Sequence, residues 1–121
     1  MDMRGKGKIL KIYIGETDKW KHESLYHALI KKFKKAGLAG ATVIRGIEGF
    51  GLNSRIKSAH ILQLSEDLPL IIEVVDRAEK IEAILPEVKE MVKEGLITVE
   101  DIEVITYTAD KKNKDKETAH K

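Results

Sequence analysis

Leu70-Ile71-Ile72-Glu73-Val74-Val75 is a short aliphatic run, mostly β-branched and interrupted once by a glutamate. A segment this short and this apolar reads as a strand covered on both faces or nearly so, so the fold must bury it inside a sheet. Three other segments supply neighbours. Residues 8–15 alternate with period two, with Lys8, Leu10, Ile12 and Ile14 on one side, Ile9, Lys11 and Tyr13 on the other, and Gly15 as terminator. Residues 41–51, Ala-Thr-Val-Ile-Arg-Gly-Ile-Glu-Gly-Phe-Gly, pass from a β-branched strand into a glycine-punctuated loop. Residues 97–99 and 102–107 form the last strand, with Glu100 and Asp101 breaking its alternation as a turn or bulge would.

Helical periodicity fills the gaps. Leu25, Ala28, Leu29, Phe33 and Ala36 share one stripe over residues 24–36, and Gly37 supplies the stop. The lysines 31, 32, 34 and 35 complement the dipole at that end, which accounts for them without an anion patch. A second helix over 77–94 carries Ile81, Ile84, Leu85, Val88, Met91 and Val92, with Asp76 as its cap and Gly95 as its end. Its apolar phase continues across Pro86, which predicts one kinked helix. The order is therefore βαββαβ. Right-handed crossovers place both helices on one face of a four-stranded antiparallel sheet, a ferredoxin-like α+β sandwich. At 121 residues the chain suits one core. Its expected divisions are a flexible N-terminus at 1–7, the folded domain at 8–108 with an arm at 52–68, and a disordered charged tail at 109–121.

Function classes are narrowed mainly by exclusion. With 22 Lys plus Arg against 20 Asp plus Glu, the net charge of +2 is too small for nucleic-acid binding by bulk electrostatics, so any anion site is local. No cysteine is present, no stretch approaches a membrane span, and the first residues lack an apolar signal core, so a cytoplasmic protein is expected. The richness in Lys, Glu and Ile suits a thermophilic source. Beside His22, Glu23 and His27 stand at i and i+4, where two metal ligands could share a helix face, but no third ligand has recognisable spacing, so no metal is expected. Glu16 and Asp18 form no defined carboxylate pair, and Gly46, Gly49 and Gly51 match neither a Rossmann nor a Walker pattern. What remains is a loop bearing Arg45, Ser54, Arg55, Lys57 and Ser58, donors suited to phosphate oxygens; the bland alternative is a solvated hairpin arm.

Four motifs, Tyr13-Ile14-Gly15-Glu16, Gly40-Ala41-Thr42-Val43, Arg45-Gly46-Ile47-Glu48-Gly49-Phe50-Gly51 and Leu64-Ser65-Glu66-Asp67-Leu68-Pro69, resemble the proteins called domain of unknown function 190. The resemblance spans residues 8–107. That group is itself similar to the PII signal-transduction proteins, ferredoxin-like trimers with adenine nucleotides in clefts between subunits. The resemblance implies a homotrimer in which Gly49-Phe50-Gly51 opens the counterpart of the PII T-loop, residues 52–68, and residues 94–101 correspond to the nucleotide-contacting B-loop.

Departures from PII accompany it. The stretch Gly95-Leu96-Ile97-Thr98-Val99-Glu100-Asp101 lacks the phosphate-holding glycines and lysine, and Asn53 replaces the glutamine used with magnesium and 2-oxoglutarate. No tyrosine lies between Gly51 and Pro69 for uridylylation, and the strand-four arginines are missing, with Thr106 and Tyr107 near their place and Lys111 and Lys112 beyond. The expected ligand is therefore an adenine nucleotide, a monophosphate such as AMP by preference. It would sit near Gly49, Phe50 and Gly51, with Arg45, Arg55 and Lys57 as cations and Ser54 and Thr98 as hydroxyl donors. On this reading the chain is a regulator that requires no cofactor and signals to a partner protein through residues 52–68. The alternatives are a ligand-free trimeric scaffold and a small enzyme with a site between subunits.

Overall fold

The computed structural model describes residues 2–50, 57–58 and 67–109. Four strands and two helices follow one another as β1 (Asp2–Gly15), α1 (Leu25–Lys35), β2 (Ala41–Arg45), β3 (Pro69–Asp76), α2 (Ala78–Met91) and β4 (Leu96–Thr108). The sheet order is β2-β3-β1-β4, with every neighbouring pair antiparallel. Leu10, Ile12 and Ile14 of β1 and Leu70, Ile72 and Val74 of β3 form the floor on which Leu29 and Phe33 of α1 and Ile81 and Val88 of α2 pack. This is the ferredoxin-like α+β sandwich that the periodicities predict. Two short ladders, Lys19–Trp20 with Glu23–Ser24 and Glu48–Gly49 with Lys57–Ser58, flank it.

The aliphatic run in β3 is covered on one face only. Leu70, Ile72, Val74 and Asp76 are buried beneath the helices, while Pro69, Ile71, Glu73 and Val75 are half-buried on the other side. That side carries an in-register apolar row, Ile44, Ile71, Tyr13 and Leu96, beside a polar row, Thr42, Glu73, Lys11 and Thr98. The expectation of cover on both faces thus fails within a single chain, because both helices occupy the same side.

Several local readings are corrected. β1 begins at Asp2 rather than Lys8, so residues 2–7 are strand and not a flexible lead-in, paired with the second half of β4. β4 runs unbroken through Glu100 and Asp101. The irregularity lies at the other end of the ladder, between Met3 and Gly5, where Gly5 takes a φ of 99° that favours glycine. Asp101 pairs in register with Lys8, whose ammonium bonds its carboxylate at 2.6 Å; that hydrogen bond raises the Lys8 pKa and lowers that of Asp101.

α1 ends in a Schellman motif, with the Gly37 N–H donating to Lys34 O and the Leu38 N–H to Phe33 O, both at 3.1 Å, and Gly37 at φ 82°. α2 passes through Pro86 as one helix and ends at Met91, short of Gly95. Gly95 serves a different purpose, since a Cβ there would lie 2.6 Å from the carbonyl oxygen of Tyr13. Asp76 does not cap α2: Arg77 holds the N-cap position, with no side-chain cap bond.

No helix among the described residues is long and apolar enough to cross a membrane. Phe33 is a large, fully buried side chain where α1 meets the sheet. Phe33→Ala should therefore destabilise the fold by roughly 3–5 kcal/mol in urea titration; a loss below about 1 kcal/mol would contradict this packing.

Candidate ligand site

A cavity of about 400 Å³ opens where the start of β2 meets the end of β4. Thr42, Glu73 and Val75 line it from β2 and β3, and Val104, Thr106 and Tyr107 line it from β4, although β2 and β4 are opposite edges of the sheet. The chain closes that gap by leaving the flat sheet. Residues 2–7 of β1 pair with β4 alone, so the β1–β4 pair is free to fold over the end of β3. Gly7 marks the crossing: a Cβ there would stand 2.9 Å from Asp76 O.

The remaining rim, Ala39, Gly40 and Ala41, is pinned through one residue. Asp76 accepts the Ala39 N–H on Oδ2 at 2.8 Å and the Arg77 N–H on Oδ1 at 2.7 Å, while the Tyr107 hydroxyl donates to Ala39 O at 2.9 Å. Asp76 is 1% exposed, so its carboxylate is tied up in shaping this rim. The resulting surface combines apolar walls for a flat ring with a hydroxyl at Thr42 and a carboxylate at Glu73, acceptors for an amino group on such a ring.

The described residues among those predicted from sequence do not line this cavity. Arg45, at the far end of β2, is ion-paired to Glu16 through Nη2 and Oε2. Gly46 and Gly49 pack on Pro69: added Cβ atoms would meet its Cγ at 2.9 and 3.3 Å, and the Gly46 N–H donates to Pro69 O at 2.7 Å. Their lack of a side chain thus serves the neck of the arm, where the outgoing and returning chains meet. Phe50 is 75% exposed beside it, and Lys57 pairs with Gly49 in the short ladder.

Gly51, Ser54 and Arg55 lie outside the described residues, as does most of 52–68. Thr98 is exposed on β4, opposite Lys11. Within one chain the structure therefore groups Arg45, Gly49, Phe50 and Lys57, leaves Thr98 three strand positions away, and sets the cavity at the other end of β2, roughly 13 Å along the strand. Sequence reasoning missed Asp76 and Tyr107 as rim-setting residues. Gly40-Ala41-Thr42, legible as a motif and small enough to admit a ligand, was the available signal.

No group of three or more His, Asp or Glu that could hold a metal ion occurs among the described residues. Glu23 is instead ion-paired with Lys31 at 2.9 Å, and His22 stands at φ 72° in a tight turn.

Residues 7–104 match the family model DUF190, described as Uncharacterized ACR, COG1993. The chain belongs to the DUF190 family. A UPF0166 protein of Aquifex aeolicus is 40% identical over 100 residues, covering 83% of this chain and 94% of its own length. A UPF0166 protein of Methanocaldococcus jannaschii is 44% identical over 100 residues, covering 82% and 92%. Among solved structures, the chain resembles CPII, a nitrogen regulatory PII-like protein of Thiomonas intermedia K12 bound to ADP, AMP and bicarbonate. The TM-score is 0.65 at 19% identity, with 84% of this chain and 91% of that one covered. The apo form of CPII gives 0.58 at 18% identity, with 89% and 100% covered. The DUF190 chain thus has the PII-like fold that its motifs suggest.

Asp76→Ala leaves the Ala39 N–H without its acceptor inside the protein and should cost roughly 2–3 kcal/mol, whereas Tyr107→Phe should cost about 1 kcal/mol. Urea titration of both variants checks this; equal, negligible losses would mean that the rim is not held this way.

Proposed function

We propose that this DUF190 chain is a PII-like regulatory protein that binds an adenine nucleotide, a monophosphate by preference, between the subunits of a homotrimer. The observation that carries the reading is the cavity beside β2. Its volume falls in the range of small-molecule pockets, and its Thr42 and Glu73 acceptors suit the amino group of a purine ring between apolar walls. CPII, bound to ADP and AMP, has the same fold. In a closed ring every copy presents the same two surfaces, so the cavity of one subunit can face the arm neck of the next. That would bring Arg45, Gly49, Phe50, Gly51 and Lys57, with Ser54 and Arg55 beyond them, to the phosphate of a base held by the neighbour. Thr98, on the same sheet face as the cavity, would join from β4.

The uncovered row of Ile44, Ile71, Tyr13 and Leu96 favours assembly, since a contiguous apolar strip of this kind marks an interaction surface. Preference for a monophosphate follows from the few cations near the neck and from the absence of phosphate-holding glycines at 95–101. Residues 52–68 would carry the signal, because a ligand that orders an arm lowers the entropic cost of a partner protein binding that arm.

Calorimetry with AMP, ADP, ATP and cyclic AMP tests this reading directly. AMP should bind, and Thr42→Val, which keeps the side-chain shape but removes the hydroxyl, should weaken it about tenfold. Light scattering should give three chains per particle. No binding of any nucleotide would overturn the ligand assignment, and a monomeric mass at micromolar concentration would overturn the assembly.

A further inference from the structure

One buried polar atom at the neck of the arm lacks a partner. Glu16 follows β1, and its N–H donates to Leu68 O at 2.8 Å. Its side chain is only 15% exposed, with Oε2 on Nη2 of Arg45 and Oε1 buried without a donor among the described residues. Two further carboxylates shape the same turn: Asp18 accepts the Gly15 N–H at 2.9 Å, and Asp67 accepts the Thr17 N–H at 3.2 Å. Gly15 stands opposite Pro69 and Arg45 opposite Leu70, so the Glu16–Arg45 pair bridges β1 to β2 across the first residues of β3. A carboxylate kept desolvated with one oxygen unpaired is costly, and the fold holds it against a cation that could otherwise serve a ligand.

We infer that Glu16 is a specificity-determining residue. By balancing the charge of Arg45, it removes the extra attraction that an unpaired arginine at the loop base would give a polyphosphate over a monophosphate. The inference rests on the nucleotide reading above. Arg45 is 63% exposed and carries five donors, of which Glu16 engages only Nη2, so its outward edge remains available to a phosphate oxygen. Its charge, however, is already matched. The carboxylate cannot easily swing aside, because it is mostly buried and its own backbone N–H is anchored to Leu68.

Repulsion from a fixed buried charge grows with the charge of the incoming group and is felt more strongly away from water. A monophosphate with about two negative charges meets less of it than a diphosphate, and a triphosphate meets the most. An unpaired arginine would attract the more highly charged ligand more strongly, and this repulsion offsets that advantage. Discrimination here comes from a repulsive element placed behind an attractive one.

The test titrates AMP, ADP and ATP, without magnesium, into the wild-type protein and the Glu16→Gln and Glu16→Met variants at low and high salt, with thermal melts confirming that each folds. ATP affinity should rise about tenfold in both variants while AMP affinity rises at most about threefold. The shift in their ratio should shrink as salt shortens the screening length. Parallel changes for all three nucleotides, a uniform loss or no change would overturn the inference while leaving the nucleotide reading intact. If neither the wild type nor the variants bind any of the three, both fall together.

Discussion

The two ladders made by β1, to β3 along Lys8 to Gly15 and to β4 along nearly its whole length, are the constraint on which the structure depends. A central strand paired on both sides cannot slip. Moving its register by one residue would turn Leu10, Ile12 and Ile14 from beneath the helices to the open face. That placement sets β3 between β1 and β2 and puts the start of β3 and the neck of the arm next to the end of β1. It also leaves residues 2–7 with β4 as their only partner, so that this pair bends over the end of β3 and delivers Tyr107 to Ala39. Both candidate ligand surfaces, the cavity and the neck, are products of where β1 lies.

β2 joins these surfaces. The pinned segment at Ala39 leads into one end of this five-residue strand, and Arg45 ends the other. This strand is held against β3 along its whole length. At the neck, Gly46 and Gly49 closing on Pro69, the Glu16 and Thr17 amides, and the Glu16–Arg45 pair tie the arm to the end of β1.

The fold was legible because its signals were local and mutually consistent: period two at 8–15, helical stripes closed by Gly37, and the β-branched run of β3. Errors arose where one residue had two plausible uses. Asp76 before a helix reads as a cap, yet its carboxylate is drawn to the Ala39 N–H, a residue 37 positions away in sequence. Glu100 and Asp101 interrupt an alternation, yet both stay in the backbone ladder, opposite Ile9 and Lys8. The cavity was the hardest feature to find, because it joins opposite edges of the sheet through a crossing at Gly7 that no local pattern encodes.

On the reading proposed above, this DUF190 protein assembles with a small nucleotide held between its subunits. Native mass spectrometry of freshly purified protein tests it most directly. A three-chain particle is expected, with up to three adducts of a nucleoside monophosphate that dissociate together with the assembly. A particle that remains monomeric and acquires no adduct when AMP is added would contradict it.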